Sequence, residues 1–340
     1  MTLEFGLDTF GDITQDAQGR ALSGAQVIRN VVAEGVLADQ VGLDYIGIGE
    51  HHRSDFAISA TEPVITAILQ KTARIHAGSS VTVLSSDDPI RLYQRFATID
   101  ALAPGRAEVT LGRGSFTESF PLFGFALNDY ETLFEEKFEL FTRLLRDDRI
   151  SFTGKHRAPL KGVTIYPRAE TPIRTWLGVG GSPESVIRAA SHGLPMMLAI
   201  IGGDPARFAG HVDLFRRVHA QLGTTPGLLG VHSPGHIGKT DETARQSFFA
   251  GYKAMHDRIG ASRGWPPFRR EDFEREIAHG SLYVGGPETV AAKIARTVKI
   301  LGLQRFTLKY SAGPVSHDSL MRCIELYGTR VAPLVREMLA

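Results

Sequence analysis

Apolar and polar residues alternate from Leu3 to Thr9, the two-residue period of a short strand. The period then lengthens: Val27, Ile28, Val31, Val32 and Val36 share one face of a helix. Asp44-Tyr-Ile-Gly-Ile-Gly49 predicts a second strand, residues 75–84 a third and residues 106–111 a fourth. A helix with the apolar face Leu133, Phe134, Phe138, Phe141 and Leu145 follows, with Asn128 and Glu131 spaced as a cap. Arg174–Leu177 predicts strand five, the nearly all-apolar run Leu194–Ile201 a strand buried on both faces, and 227–236 a seventh. A long helix from about Asp241, a helix from Gly286-Pro287, a strand over 305–310 and a helix from Ser316 complete the pattern. Residues 150–172, with Pro159, Pro167 and Pro172, read as an irregular insertion; the charged and aromatic stretch 262–282 reads as a loop or lid.

Four predicted helices start on a cap-type residue followed by proline: Asp88-Pro89, Ser182-Pro183, Asp204-Pro205 and Gly286-Pro287. Strands alternating with helices call for a parallel sheet with right-handed crossovers. About eight such units in 340 residues suit an α/β fold of the (β/α)8 TIM barrel class with insertions, taken as a single domain over residues 1–340.

Composition narrows the function classes. Hydrophobic residues make up 43% and charged residues 22%, a normal globular balance. With 38 basic and 37 acidic residues the formal net charge is +1, which gives no electrostatic case for nucleic acid or an anionic membrane. The single cysteine, Cys323, rules out an internal disulfide. Glu4, Asp8, Asp12 and Asp16 interrupt the N-terminus before any secretory apolar region forms, so a cytoplasmic protein is expected.

The stretch 174–193 carries the clearest chemical signal. After strand five come Gly178, Val179, Gly180 and Gly181, with Ser182 placed to cap a helix, Pro183 at its first position and Ser185 on its first turn. Glycines let a backbone lie close to a ligand, and the free N–H groups of a helix start attract phosphate. The stretch is equally readable as an ordinary strand-to-helix turn. It is neither a Walker loop, which needs Lys then Ser or Thr, nor a Rossmann fingerprint, whose third glycine falls on Pro183. In a barrel the active site lies at the C-terminal strand ends, where Glu50-His51-His52, Arg113 and the Gly180–Ser182 turn all fall. Glu50-His51-His52 first suggests a metal, but neighbouring strand residues point to opposite sides. Arg113, between Gly112 and Gly114, is either a surface arginine or a phosphate clamp.

Several runs together resemble the bacterial luciferase-like flavin monooxygenases: Gly47-Ile-Gly-Glu-His-His52, Gly78-Ser-Ser-Val81 onward to Arg91, and Ala103-Pro-Gly-Arg106 with Gly112-Arg-Gly114. Trp176 to Ser185, Ser191 to Met196 and Val284 to Val290 resemble the same family in the same order. The resemblance implies a barrel that uses reduced FMN and O2, through a flavin C4a-peroxide, to oxygenate a small organic substrate. Reduced flavin would come from a separate NAD(P)H-dependent reductase, and the chain would assemble as a homo-oligomer. His51 matches the family's active-site histidine, a general acid or base, and Glu50 a residue lining the flavin. Ser80 and Val81 match a non-prolyl cis peptide behind the flavin ring. Arg113 and the Gly180–Ser185 helix start match the phosphate site. The alternatives are a deazaflavin F420-dependent hydride-transferring relative, a non-catalytic flavin-binding protein and a metal-dependent barrel hydrolase.

Overall fold

Eight parallel strands close on themselves in the computed structural model, which describes residues 3–114 and 116–340. In chain order the strands are β1 (Glu4–Thr9), β2 (Tyr45–Ile48), β3 (His76–Val83), β4 (Ala107–Gly112), β5 (Ile150–Phe152), β6 (Leu160–Val163), β7 (Arg174–Val179), β8 (Met196–Ala199), β9 (Leu229–Ile237), β10 (Tyr283–Gly285) and β11 (Arg305–Lys309). The barrel runs β1-β2-β3-β4-β7-β8-β9-β11 and returns to β1, where Phe5 pairs with Phe306 and Leu7 with Leu308. Helices form the outer ring, so each barrel strand is covered on both sides, and every residue of β2, β4, β9 and β11 is buried.

The strand and helix pattern read from periodicity is present, with the following differences. Residues 150–172 contain a two-stranded antiparallel hairpin, β5 with β6, whose Ile150 and Phe152 are buried while Ser151 is exposed. Three residues are too few for their alternation to stand out from a proline-rich stretch. Asn128 does not cap: Leu127–Asp129 form a 3-10 turn leading into the helix Tyr130–Arg146, which has no side-chain cap. Within 262–282, Arg270–His279 is a helix anchored by buried Phe273 and Ile277; its mean hydropathy is low because two residues suffice to hold it. A helix at Thr61–Leu69 and the strand β10 also lie where no periodicity pointed. Ser182 does cap the helix Pro183–Ser191, and Asp88 caps Pro89–Leu102.

The barrel floor is polar and buried. The Arg305 guanidinium lies between the rings of Tyr45 (4.3 Å) and Trp176 (4.6 Å). It binds Glu108 through two bonds of 2.7 and 2.9 Å, and Trp176 Nε1 donates to the same carboxylate at 2.9 Å. Burial pushes the Glu108 carboxyl up, but Arg305, His76 and Arg174 together pull it well below the usual carboxylate range. This plug closes one end of the lumen and leaves the C-terminal strand ends as the open mouth.

Candidate active site

The mouth is built from consecutive strand ends, beginning at β7. Val179 is buried, and the chain then turns through Gly180 and Gly181 into the helix Pro183–Ser191. Gly181 adopts φ +121°, a conformation side chains rarely enter, so glycine is required there. A Cβ on either Gly180 or Gly181 would meet nothing within 4 Å, so both face open space. Gly178 differs: its Cβ would lie 3.3 Å from Val81 Cγ1, which makes it a packing glycine inside the strand. Ser182 Oγ accepts from Ser185 N–H at 3.4 Å and donates to Glu184 Oε2 at 2.6 Å.

Two arginines attend this helix start. Arg113, just past β4, donates to Glu131 Oε1 at 2.6 Å. The Ser182 hydroxyl, and then the charges of Arg113 and Arg188, lower the Glu184 carboxyl, which places both guanidiniums within electrostatic reach of the helix tip. Arg188 Nη1 lies 3.5 Å from Ser185 Oγ, and its guanidinium pairs with Glu135. Glu131 and Glu135 stand one turn apart on the helix Tyr130–Arg146 and so hold the two arginines side by side. Sequence reasoning missed Arg188; its spacing of three residues from Ser185 on one helix face is the signal that could have found it.

The other side of the mouth comes from β2 and β3. Glu50 Oε2 accepts from Val83 N–H at 3.0 Å, and Oε1 lies 2.8 Å from His52 Nε2. The Ser80–Val81 peptide is cis, at the point where the register between β3 and β4 shifts. Val81 packs towards Gly112 and Gly178. The Ser80 hydroxyl donates to Asp8 on β1. His51 turns away from His52, as adjacent residues of an extended segment do. Its ring sits among Phe56 (4.4 Å), Phe10 (4.6 Å) and Phe116 (5.1 Å). Burial, helped by the charge of Lys309, lowers the His51 pKa to about 4, so the imidazole is neutral at physiological pH. Lys309 itself is paired with buried Asp12 at 3.0 Å and stands 4.4 Å over Phe10.

β2, β3, β4 and β7 are successive neighbours in the barrel, so Glu50, His51, Ser80, Val81, Arg113 and Gly180–Ser185 line one continuous arc of rim. Val81, touching the positions of both Gly112 and Gly178, links the two halves of that arc. The segment after the helix Asp241–Ala261 reaches the same place: the Arg263 guanidinium lies 5.1 Å over Phe116. Among the described residues no group of three or more His, Cys, Asp or Glu is placed to hold a metal, and no helix is long and apolar enough to cross a membrane.

A family model described as luciferase-like monooxygenase matches residues 9–305. The chain is 23% identical to the alkanal monooxygenase alpha chain of Photobacterium leiognathi, over 92% of this chain and 94% of that one. Its fold is similar to that of monooxygenase RslO1 from Streptomyces bottropensis, with a TM-score of 0.85, 19% identity and coverage of 97% and 99% of the two chains. It is also similar to the oxygenating constituent of 3,6-diketocamphane monooxygenase of Pseudomonas putida in complex with FMN (TM-score 0.79, 18% identity, 98% and 99% covered). An F420-dependent secondary alcohol dehydrogenase gives a TM-score of 0.74 at 16% identity, with 98% and 99% covered.

Proposed function

The chain belongs to the luciferase-like monooxygenase family, a family of flavin-dependent oxidoreductases, and from that premise we propose that it is an FMN-dependent monooxygenase acting on a small organic substrate. One observation carries the cofactor: the open Gly180–Gly181 turn, the start of the Pro183–Ser191 helix, Arg113 and Arg188 meet at one point of the rim. That set suits a phosphate monoester, through two guanidiniums, the Ser185 hydroxyl and the positive end of the helix dipole. The neighbouring wall is formed by Glu50, which accepts from Val83 N–H, and by the cis Ser80–Val81 peptide, against which this reading sets the flavin ring.

Reduced FMN, when bound, supplies two electrons and reactivity toward O2, so that one oxygen atom enters the substrate and the other leaves as water. The chain's own contribution is placement and exclusion of water. Glu50 ties the end of β2 to β3 and fixes the wall behind the ring. Phe10, Phe56 and Phe116 surround His51 and give the mouth an apolar lining, which fits an apolar organic group better than a charged one. His51, neutral, is able to accept a proton or hydrogen bond at that lining. With Arg263 lying over Phe116, residues 262–269 serve as a lid in this reading, while Arg270–His279 stays anchored by Phe273. Electrons arrive through a separate NAD(P)H-dependent reductase, since the glycine turn departs from a dinucleotide fingerprint at Pro183.

The test is isotopic. The protein, FMN, a generic flavin reductase and NADH are incubated under labelled O2 with a panel of aldehydes, ketones and aromatic substrates. One labelled oxygen atom in a product supports the proposal. The F420 reading, which the likeness to the F420-dependent alcohol dehydrogenase favours, predicts hydride transfer to F420, no label in product and no dependence on O2.

A further inference from the structure

Two imidazoles flank Phe10 at the mouth, and only one of them is held by a carboxylate. His51 meets the Phe10 ring edge at 4.6 Å, and among the described residues nothing hydrogen-bonds its ring. His232, on β9, lies on the other side, its ring nearly parallel to Phe10 (13°, centroids 6.1 Å apart). His232 Nδ1 is 2.8 Å from Asp8 Oδ2, and the same oxygen accepts from the hydroxyl of Ser80, the first residue of the cis peptide. The ring is therefore tied directly to the wall that the proposed flavin faces.

We infer that His232 is a further proton-transfer residue of this active site, a catalytic base oriented by Asp8, for a substrate that carries an ionisable O–H group. This rests on the flavin reading of the mouth given above. Asp8 is fully buried, so its carboxylate needs donors; it takes them from Ser80 and from His232 Nδ1–H. The Nδ1–H bond selects the tautomer in which Nε2 carries the lone pair. Nε2 hydrogen-bonds nothing among the described residues, yet it does not belong to the buried atoms left without a partner, so it retains access to the mouth. This is the arrangement by which an Asp-oriented imidazole becomes a base in hydrolases of other folds.

The surroundings leave the Asp8 charge for this use. Its second oxygen, Oδ1, is buried and unpartnered. Lys309 on β11, which pairs with Asp8 in the strand register, is committed to Asp12 on the loop after β1. His51, after β2, is neutral, and Tyr45 on β2 is held protonated by burial. The strand neighbours of His232, Ala199 on β8 and Thr307 on β11, bring no charge. In the step, the substrate O–H bond breaks and an Nε2–H bond forms. The electron pair stays on the substrate oxygen, and the imidazolium charge is matched by Asp8. The proton later returns to product or solvent, so the base is regenerated.

Two readouts test this in the full-length protein. Nitrogen NMR of histidine-labelled protein, with the His232 signal assigned by its loss in H232Q, is expected to show an Nδ1-protonated neutral ring, and the near-isosteric D8N is expected to shift it towards the other tautomer. An Nε2-protonated ring in the unaltered protein overturns the inference. 4-Nitrophenol then serves as the probe, because its phenolate absorbs distinctly. Binding to the FMN-loaded protein is expected to raise the phenolate-to-phenol ratio about tenfold at fixed pH, and the rise is expected to vanish in H232Q and D8N. Failure of the probe to bind, or equal ionisation in H232Q, overturns the assignment. FMN affinity in the same samples separates the two levels: an unaltered protein that binds no FMN removes the flavin reading, whereas bound FMN with unchanged ionisation in H232Q removes only the role of His232.

Discussion

Val81 occupies the space in which a side chain at Gly112 would stand: a Cβ on Gly112 would lie 2.5 Å from Val81 Cγ2 and 2.9 Å from its Cβ. Neither strand can yield easily, because β3 and β4 are paired through six registered positions around this point. G112A is therefore expected to displace Val81 and the wall it forms, destabilising the protein by about 1–3 kcal/mol and weakening FMN at least tenfold. At Gly178 the same added carbon would sit 3.3 Å from Val81 Cγ1, a contact that a small rotation relieves. G178A is expected to cost well under half as much. Urea denaturation and flavin fluorescence titration of both variants check the ranking, and equal effects would sink the explanation.

Arg113 and Arg188 are expected to act on the phosphate and on nothing else in the flavin. R113A and R188A should each weaken FMN by 10- to 100-fold and leave riboflavin, which lacks the phosphate, within twofold. Each arginine also has a glutamate partner, Glu131 or Glu135, so E131Q should weaken FMN less than R113A by freeing rather than deleting the guanidinium. Equal losses for FMN and riboflavin would remove the clamp.

Much of the barrel and half of the rim can be read from residue order, because both depend on local signals. Strand alternation, the cap at Ser182 and the glycines at 180 and 181 are each set by neighbours within a few positions. The roles of Gly178 and Gly112 are not local: both make room for Val81, which is dozens of residues away in the chain. Asn128 and Glu131 have the spacing of a cap, yet Glu131 is drawn to Arg113, because an arginine 18 residues distant offers a charged partner where the helix end offers only N–H groups. Asp8 and His232 are likewise defined by partners from other strands, and no periodicity announces them.

The floor plug makes a stability prediction independent of the cofactor. Glu108 accepts both bonds from Arg305, so E108A leaves a buried guanidinium with only Glu4 as a charged partner. Removing one side of a buried pair typically costs ~3–5 kcal/mol. E108A should lower stability by that order, with R305M in the same chain recovering part of it, because an apolar side chain can fill the slot between Tyr45 and Trp176. A double variant no more stable than E108A alone would show that the plug acts through shape and not through charge.

Acid should loosen the protein earlier than its carboxylates alone require. His236 is fully buried, stacked on Phe248 (5.1 Å, 6°), and burial followed by the charge of Arg322 pushes its pKa to about 4. His51 is lowered to about 4 as well. In an unfolded chain an imidazole titrates near pH 6.5, so the unfolded state takes up these protons first as pH falls. Their contribution is whole above about pH 6.5 and is lost as pH falls towards 4, on the order of 3 kcal/mol for each. His317 runs the other way: its bond to Glu34 raises its pKa, so it stabilises at low pH and loses that contribution as pH rises. Urea midpoints at pH 7.5 and 5 should therefore fall clearly in the unaltered protein. H236F keeps the aromatic stack without a titrating nitrogen and should shrink that fall by roughly a third to a half. An undiminished fall in H236F would place the acid sensitivity in the carboxylates instead.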